Sequence, residues 1–308
     1  MNRGESNMSI CNLCPRRCGV ERAPSQGGAA GFCGVGRRPV VARAGLHAWE
    51  EPCISGTRGS GTVFFSGCNL RCCFCQNHEI SAGGFGREIP VERLREIYRE
   101  LASQGAHNIN LVTPTHFIEA VAESLTPPPP VPVVYNSNGY ESVESLRLLE
   151  GKVQIYLPDL KYANDPLALR YSNAKRYFET ATAAIQEMYR QVGPWEMDED
   201  GILQKGVVIR HLILPNHVEN SFDVIDWVAG HFRRGEVLFS LMSQYIPCGR
   251  AAEYPEIDRP ITQEERERVE QYLFYSGIED GFVQEPESAS SRYIPPFDLT
   301  GVEPARSQ

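Results

Sequence analysis

From residue 62 onward the sequence alternates short apolar runs with longer amphipathic segments, and this alternation restricts the fold more than any other feature. A strand, a helix and a further strand form the repeating unit of a parallel sheet, because the helix returns the chain to the same end. The pattern predicts six strands, at residues 62–67, 108–112, 132–139, 155–162, 206–215 and 237–247, with helices at 90–105, 115–125, 141–150, 174–191, 221–233 and 262–276. We therefore predict an α/β fold, a partial (β/α)6 TIM-like barrel, with its chemistry at the carboxyl ends of the strands.

The length of the chain indicates one large domain with small additions. A barrel of this kind can fill 308 residues almost alone. Residues 1–50 are rich in Gly, Arg and Cys and predict a small N-terminal Cys-rich metal-binding module, because they lack a sustained apolar period. We place the core domain at residues 51–290 and a C-terminal tail at residues 291–308.

Charge and hydropathy narrow the class of protein. The formal net charge of -9 disfavours a general nucleic-acid-binding protein, since binding phosphates requires a basic face. No window approaches the run of about 18 apolar residues that a membrane helix needs, so we expect no membrane association. We expect the protein in the cytoplasm, where thiols stay reduced and serve as ligands or catalysts more often than as disulfides.

The ten cysteines fall into two ordered sets and three others. The first set is Cys11, Cys14, Cys18 and Cys33, with the spacing C-x2-C-x3-C-x14-C. The second set is Cys68, Cys72 and Cys75, with the spacing C-x3-C-x2-C, directly after the first predicted strand. For Cys53, Cys73 and Cys248 we expect buried free thiols, because cysteine packs as a small apolar side chain.

Three interpretations suit the second set. Its spacing would place three small residues on the buried stripe of a helix, but Gly67, Asn69 and Arg71 interrupt that stripe. A structural zinc site normally takes four closed ligands, and only three are regularly placed here. Three thiolates with one open coordination position suit a [4Fe-4S] cluster that leaves one iron free for a substrate.

The segment CNLRCCFC, residues 68–75, resembles the CX3CX2C motif of radical S-adenosylmethionine enzymes. The wider stretch HAWEEPCISGTRGSGTVFFSGCNLRCCFCQNHEIS resembles more narrowly the proteins related to pyruvate formate-lyase-activating enzyme. Further matches are NINLVTPTHF, DLKY, RHLILPNH and LMSQYIP, so the likeness covers roughly residues 11–290.

The resemblance implies a role for each residue of the motif. Cys68, Cys72 and Cys75 would each bind one iron, and the amino and carboxylate groups of S-adenosylmethionine would chelate the fourth. Phe74, with Gln76 and Asn77, would lie beside the adenine. One electron would break the sulfonium bond to the 5′ carbon, giving methionine and a 5′-deoxyadenosyl radical. The resemblance also implies two partners. One is an electron donor such as flavodoxin or ferredoxin, and the other is a partner protein that carries a glycyl radical.

Polar residues at the ends of the next strands predict the rest of the cofactor site. They are Thr113, Pro114 and Thr115 in the second unit, Asn136, Ser137 and Asn138 in the third, Asp159 and Lys161 in the fourth, and Arg210 and His211 in the fifth. Lys161 is expected to meet the cofactor carboxylate, and Asp159 a ribose hydroxyl, a cation or Lys161 itself. We predict that Lys161 and Arg210 are catalytic. The alternative for Asp159 and Lys161 is an ordinary surface ion pair.

The second unit departs from the family pattern. Many relatives carry a Gly-Gly-Glu segment there to hold the cofactor's amino group, whereas this chain has LVTPTHF. Backbone carbonyls or the Thr113 hydroxyl would have to accept those hydrogens. The alternative is a strand end broken by Pro114.

Other candidates are less sharply defined. The first cysteine set supplies four thiols among glycines and prolines, which suits closed tetrahedral zinc and equally a second iron-sulfur cluster. We expect His47, Trp49 and His116 in a pocket, and Tyr245 near a substrate entrance.

Three functions follow from these patterns. The first is a radical S-adenosylmethionine enzyme that activates a partner protein by forming a glycyl radical. The second is radical modification of a small molecule or nucleotide. The third is a zinc-binding interaction scaffold, which the open cluster position and the polar strand ends disfavour.

Overall fold

The computed structural model describes residues 10–22, 31–284 and 294–304. In chain order its strands are β1 (Val40–His47), β2 (Ser60–Phe65), β3 (Arg87–Glu88), β4 (Ile109–Val112), β5 (Val133–Ser137), β6 (Ile155–Pro158), β7 (Glu196–Met197), β8 (Leu203–Leu212), β9 (Leu238–Met242) and β10 (Gly281–Val283). Along the main sheet the order is β10-β9-β8-β6-β5-β4-β2-β1-β3, and β7 pairs with β8 at the side.

The sheet is parallel from β2 to β10 along this order, and β1 runs antiparallel to β2 and β3. The six predicted strands are β2, β4, β5, β6, β8 and β9, which follow one another across the sheet as expected for βα units. The predicted α/β fold, a partial (β/α)6 barrel, is confirmed. The structure adds β10, a seventh parallel strand beside β9, and β1, which lies within residues 1–50.

Helices connect the strands along the chain. In chain order they are α1 (Pro52–Ser55), α2 (His78–Ser81), α3 (Val91–Ser103), α4 (Ile118–Ser124), α5 (Val143–Leu146), α6 (Asp165–Ser172), α7 (Tyr177–Val192), α8 (Val218–His231) and α9 (Gln263–Ser276). In α3, Leu94, Ile97, Tyr98 and Leu101 are buried, which is the spacing of one helical face. The predicted helix at 174–191 corresponds to α7, while α6 lies where no helix was predicted.

Helix α1 closes the lower part of the barrel. Cys53 and Ile54 pack in one apolar cluster with side chains from β5, β6, β8 and β9, namely Val134, Ile155, Leu157, Leu203, Val208 and Leu238. Asn108 reaches the same helix by donating its Nδ2 hydrogen to the carbonyl of Ile54 at 2.8 Å. The residues just before α1 are therefore held inside the barrel, next to this apolar cluster.

Residues 10–22 fold back on themselves and dock above the strand ends. Ile10 and Glu21 form an antiparallel bridge, and the amide of Cys11 donates to the carbonyl of Val20 at 2.9 Å. Ser145 Oγ donates to the carbonyl of Leu13 at 2.7 Å, which ties this hairpin to the barrel.

The described part of the tail, residues 294–304, lies along β1. The Leu299 amide donates to the Ala42 carbonyl at 3.0 Å, and the Ala44 amide donates to the Thr300 carbonyl at 2.8 Å. The rest of the predicted tail, residues 291–293 and 305–308, lies outside the described residues. Within the described ranges, no helix has the length and apolar composition needed to cross a bilayer.

Candidate functional site

A cavity of about 260 Å³ opens where the parallel strands end. It brings together thirteen of the residues that the sequence indicated for the core site. They are Cys68, Cys72, Cys75, Phe74, Gln76, Asn77, Thr113, Asn136, Ser137, Asn138, Asp159, Lys161 and Arg210. The lining also includes His47, Trp49 and Tyr245.

Each of the three motif thiols accepts a hydrogen bond from a side chain outside the motif. Cys68 Sγ accepts from Asn138 Nδ2 at 3.5 Å, and it also receives the amides of Leu70 at 3.3 Å and Arg71 at 3.5 Å. Ser172 Oγ donates to Cys72 Sγ at 2.9 Å. Ser81 Oγ donates to Cys75 Sγ at 3.4 Å. Such donors are typical of sulfur that carries negative charge as a ligand.

The thiol chemistry fits an iron-sulfur cluster as the occupant. Burial and the neighbouring Cys72 raise the pKa of Cys68 and raise that of Cys75 to about 12, so both thiols hold their protons when no cation is near. A cationic cluster would displace those protons and bind the thiolates. Among the described residues, no group of three or more His, Cys, Asp or Glu side chains is placed to hold a single metal ion. This holds for both cysteine sets, and the three motif thiols line one part of the large cavity.

The strand ends carry a network of buried charges. Asp159 lies between two cations, with Lys161 Nζ paired to Oδ2 and Arg210 Nε donating to Oδ1 at 2.9 Å. The second face of the Arg210 guanidinium reaches Asn136 Oδ1 at 2.7 Å and Glu50 Oε2 at 3.2 Å. Arg210 therefore joins the ends of β5 and β6 to the segment before α1.

Electrostatics set the protonation of this network. Burial acts to raise the pKa of Asp159, but Arg210 and Lys161 outweigh it and hold the pKa below its ordinary value. Burial raises the pKa of Glu50 and of Glu51, and Arg210 offsets only part of that effect. The network holds three carboxylates and two cations, so it favours the presence of one more positive charge or proton.

Glu50 and Glu51 are cavity residues that sequence reasoning missed. They lie directly before Pro52 of α1, and the Ser240 hydroxyl donates to Glu51 Oε1 at 3.1 Å. Glu51 is 1% exposed, and its Oε2 has no hydrogen-bond partner among the described residues. The available signal was the pair of acids in HAWEEPC within the family-like stretch, next to a proline that can begin a helix.

Of the three candidate residues that follow β4, one lines the cavity and two do not. Thr113 lines the cavity with φ at +56°, a strained conformation for a β-branched residue. Pro114 and Thr115 lie outside the lining. The Thr115 hydroxyl instead donates to Glu141 Oε1 at 2.5 Å, in a buried cluster where Ser137 Oγ donates to the same oxygen at 2.6 Å.

His211 also lies outside the lining. Its ring is fully buried, with Nδ1 2.7 Å from the Leu160 carbonyl and Nε2 2.9 Å from Ser221 Oγ. Successive strand residues point to opposite faces, so Arg210 faces the cavity while His211 faces a covering helix. His211 therefore contacts α8 rather than the cofactor cavity.

The first cysteine set lines a second, much smaller cavity of about 10 Å³. Cys11, Cys14, Cys18 and Cys33 surround it together with Arg16, Arg22, Phe32, Leu13 and His116. His116 is 2% exposed, and its Nε2 lies 2.8 Å from the Ser66 carbonyl. His116 is thus placed at the thiol pocket and not in the larger cavity, whereas the four thiols are brought together.

Gly67 sets how closely these two sites approach. Its φ is +82°, and a Cβ there would lie 2.8 Å from the Cys33 carbonyl and 3.2 Å from His116 Nε2. Glycine is therefore required directly before Cys68, because any side chain would collide with the N-terminal module.

Comparison with known proteins agrees with this geometry. Residues 62–223 match the Radical SAM superfamily. The chain is 33% identical over 269 residues to Uncharacterized protein MJ0674 of Methanocaldococcus jannaschii, covering 84% of this chain and 72% of that protein. The chain belongs to the radical SAM superfamily. Membership implies reductive cleavage of S-adenosylmethionine at a [4Fe-4S] cluster.

The structure of a spore photoproduct lyase variant shares the fold. A single-residue variant of spore photoproduct lyase superposes with a TM-score of 0.50 at 10% identity, covering 71% of this chain and 74% of the lyase. Methylornithine synthase gives a TM-score of 0.48 at 13% identity, covering 70% of this chain. The chain spans 60% of the synthase's own length. At such identities the likeness concerns the fold alone.

Proposed function

We propose that this radical SAM enzyme removes a hydrogen atom from the Cα of a glycine in a partner protein. The observation that carries the chemistry is the single cavity that joins the three motif thiols to the charged strand ends. The bound cluster and S-adenosylmethionine supply an electron and a 5′-deoxyadenosyl radical. The protein's own residues bind that pair, orient the 5′ carbon and exclude water.

Each side chain has a defined task in this proposal. Cys68, Cys72 and Cys75 hold the cluster, and Phe74 with Asn77 borders the adenine. Lys161 meets the methionine carboxylate, while Asp159 keeps the lysine charged and in place. Thr113 accepts hydrogens from the methionine amino group through its carbonyl or hydroxyl.

The cavity's charges support a substrate without phosphate. Lys161 and Arg210 are the Lys and Arg side chains among its described lining residues, and both are paired with carboxylates. In this proposal Lys161 binds the methionine carboxylate and Arg210 is held by Asp159 and Glu50, so neither is left to bind a nucleotide phosphate. A glycine backbone needs no such clamp, and no side chain hinders the approach of the 5′ carbon to its Cα.

The reaction conserves atoms and electrons. With the cluster held by Cys68, Cys72 and Cys75 and S-adenosylmethionine bound, one electron would enter the sulfonium and break its bond to the 5′ carbon, which would yield methionine and a carbon radical. A glycine Cα held beside that 5′ carbon would give up a hydrogen atom, leaving 5′-deoxyadenosine and a backbone radical stabilised by the flanking amides.

The direct test uses the reduced holoenzyme, S-adenosylmethionine and fractions of extract from its own cell. A glycyl doublet in the electron paramagnetic resonance spectrum, absent when Cys68, Cys72 and Cys75 are replaced by Ala, is expected. Deuterium from glycine labelled at Cα should appear in 5′-deoxyadenosine and alter the doublet. Transfer of deuterium from a labelled small molecule, with no doublet in any fraction, would overturn the glycine proposal.

A second candidate is a small substrate that carries an amine. Glu51 Oε2 favours it, since this buried carboxylate oxygen accepts no hydrogen bond from the described residues, lies 3.9 Å from Arg210 Nη1 and belongs to a network with an excess of negative charge. The deuterium experiment above separates the two candidates.

We also propose that the first cysteine set holds zinc or a second iron-sulfur cluster. Four thiols that line one small pocket support this. Metal analysis of the variant without Cys68, Cys72 and Cys75 should still find about one zinc, or residual iron and sulfide. Finding neither would refute a metal site in the N-terminal module.

A flavodoxin or ferredoxin in the cytoplasm is the electron donor we propose.

A further inference from the structure

The environment of Cys72 contains a relay of two hydroxyl groups. Ser172 Oγ donates to Cys72 Sγ at 2.9 Å, and the Tyr162 hydroxyl lies 2.7 Å from the same Ser172 oxygen. Because the serine hydrogen points to sulfur, the tyrosine must be the donor to serine. Tyr162 is fully buried, so its hydroxyl is held in this arrangement.

An arginine of the N-terminal module fixes the backbone that carries this relay. Arg16 Nη2 donates to the Ser172 carbonyl at 2.9 Å, and Nη1 donates to the carbonyl of Asn173. Arg16 Nε donates to the Asn69 carbonyl at 2.7 Å. One planar guanidinium therefore binds two segments. One carries Ser172, which donates to Cys72, and the other is the motif loop that begins at Cys68.

The contact of Arg16 with Asn69 also connects Arg16 to a second motif thiol, that of Cys68. Asn138 Nδ2 contacts both Asn69 Oδ1, at 2.7 Å, and Cys68 Sγ, at 3.5 Å. Arg16 is thus linked to Cys72 through Ser172, and to Cys68 through Asn69 and Asn138. These contacts link segments 53 to 157 positions apart in sequence.

Both cysteine-bearing segments of the module hold Arg16 in place. It lies between Cys14 and Cys18, where the Arg17 amide donates to the Cys14 carbonyl at 3.0 Å. Its guanidinium stands 3.9 Å from the ring centre of Phe32, the residue before Cys33. The position of Arg16 consequently depends on both of these described segments of the module.

We propose that Arg16 is a positioning residue through which the N-terminal module sets the reduction potential of the core cluster. The proposal rests on the cluster that Cys68, Cys72 and Cys75 hold in the proposed function. Reduction adds negative charge to the cluster, and donors to its sulfur ligands stabilise the reduced form more than the oxidised form. Arg16 keeps the Ser172 donor aligned, so loss of that alignment makes the cluster harder to reduce.

The test is a redox titration of the anaerobically reconstituted full chain, followed by electron paramagnetic resonance. Ser172→Ala should lower the equilibrium constant for reduction about tenfold, which is about 59 mV for one electron. Tyr162→Phe should shift it in the same direction by less. Arg16→Lys should also lower it, because a single ammonium cannot hold three carbonyls in a fixed plane.

The matched control is Arg17→Lys. Arg17 is the next residue of the same module and its side chain is exposed, so its replacement should leave the potential unchanged. Arg16→Gln is a second variant, which keeps a planar donor and should shift the potential less than Arg16→Ala. Iron is measured in every sample, and potentials are compared per loaded cluster.

A double-mutant cycle decides whether Arg16 acts through Ser172. In the Ser172→Ala background, Arg16→Lys should add little, since the donor that it aligns is absent. Fully additive shifts, or a potential unchanged by Arg16→Lys while Ser172→Ala lowers it, would overturn the inference. A parent protein that binds no cluster would instead refute the proposed function, so the two failures are distinct.

Discussion

At the scale of single residues, the buried charges around Arg210 form the most sensitive part of the molecule. Three carboxylates, from Glu50, Glu51 and Asp159, lie within 4 Å of its guanidinium. Buried charges are tolerated only where partners replace the lost hydration. Removing this one cation would leave all three acids without their main partner.

We expect Arg210→Met to lower the free energy of unfolding by about 3–5 kcal/mol at pH 8. The loss should shrink as the pH falls towards 5, because the raised pKa values of Glu50 and Glu51 let these acids take up protons. Urea unfolding at both pH values measures it. Arg234→Met, at a 75% exposed side chain paired with Glu279, is the control and should change little. A loss independent of pH would contradict this account.

The second prediction concerns Glu141 and the pH dependence of folding stability. This dependence runs in the opposite direction to that of an acid paired with a cation. Burial raises its pKa to about 7, although Ser137, Thr115 and Tyr135 donate to it. A carboxyl with a raised pKa stabilises the fold fully below its unfolded pKa, and that stability is lost as pH rises through 7. The loss amounts to ~3 kcal/mol.

Glu141→Gln should remove this loss, because the amide keeps an acceptor oxygen and cannot ionise. Between pH 5 and pH 8, the variant should therefore gain in stability relative to the parent chain, as measured by urea unfolding. Glu199→Gln, at an exposed loop position, is the control. Parallel pH profiles for the parent and the Glu141 variant would refute the buried ionisation.

The sequence predicted the cavity residues at the strand ends, because a polar residue that directly follows an apolar strand can be recognised from the neighbouring sequence alone. Asp159, Lys161 and Arg210 were found in this way. Glu50 was not, since its role depends on a contact with Arg210 across 160 positions of sequence. His211 and Arg210 are adjacent in sequence, and only the pleat of β8 decides which one faces the cavity.

At the scale of elements, α1 acts as a plug inside the barrel. Ile54 is fully buried within the cluster that fills the lower barrel. Ile54→Ala should lower the free energy of unfolding by about 2–5 kcal/mol, through lost burial and a residual cavity. Leu148→Ala, at a 44% exposed position, is the matched control and should stay within about 0.5 kcal/mol. A small effect at Ile54 would mean that α1 is not a structural plug.

The strands that sequence analysis missed lack the expected period. In β1, the sequence VVARAGLH mixes small and charged residues, and its buried face is completed by the tail and by β2. In β10, three residues are too few for a pattern, and Gly281 is required because a Cβ would lie 1.9 Å from the Phe239 carbonyl. Both strands are set by tertiary contacts that neighbouring sequence does not contain.

At the scale of the whole molecule, the two cysteine sets approach each other at Gly67, where an added Cβ would lie 2.8 Å from the Cys33 carbonyl. The N-terminal hairpin contacts the motif loop through Arg16, whose Nε donates to the Asn69 carbonyl at 2.7 Å, and Arg22 Nη1 donates to the His116 carbonyl. The tail covers β1 from the other side, where Phe297 packs against Phe64 at 5.5 Å between ring centres. The barrel top is thus built from both ends of the chain.

This arrangement predicts that the core cluster and the N-terminal module can be removed separately. Replacing Cys68, Cys72 and Cys75 by Ala should abolish the broad iron-sulfur absorbance and the formation of 5′-deoxyadenosine. The barrel itself should persist, because α1 and the lower barrel pack in a cluster that contains none of these thiols. Circular dichroism and urea unfolding measure the fold, and chromatography measures 5′-deoxyadenosine under anaerobic reduction.

The matched control is Cys53→Ala, which removes a buried thiol that lies in the lower barrel and outside the cavity lining. It should keep the absorbance and the production of 5′-deoxyadenosine, with only a small change in stability. Exposure of the parent protein to oxygen should bleach its absorbance, because one iron of the cluster has no thiolate ligand. If the triple variant still formed 5′-deoxyadenosine, the cluster could not be bound by these three cysteines, and the roles given to Ser172 and Arg16 would fail with it.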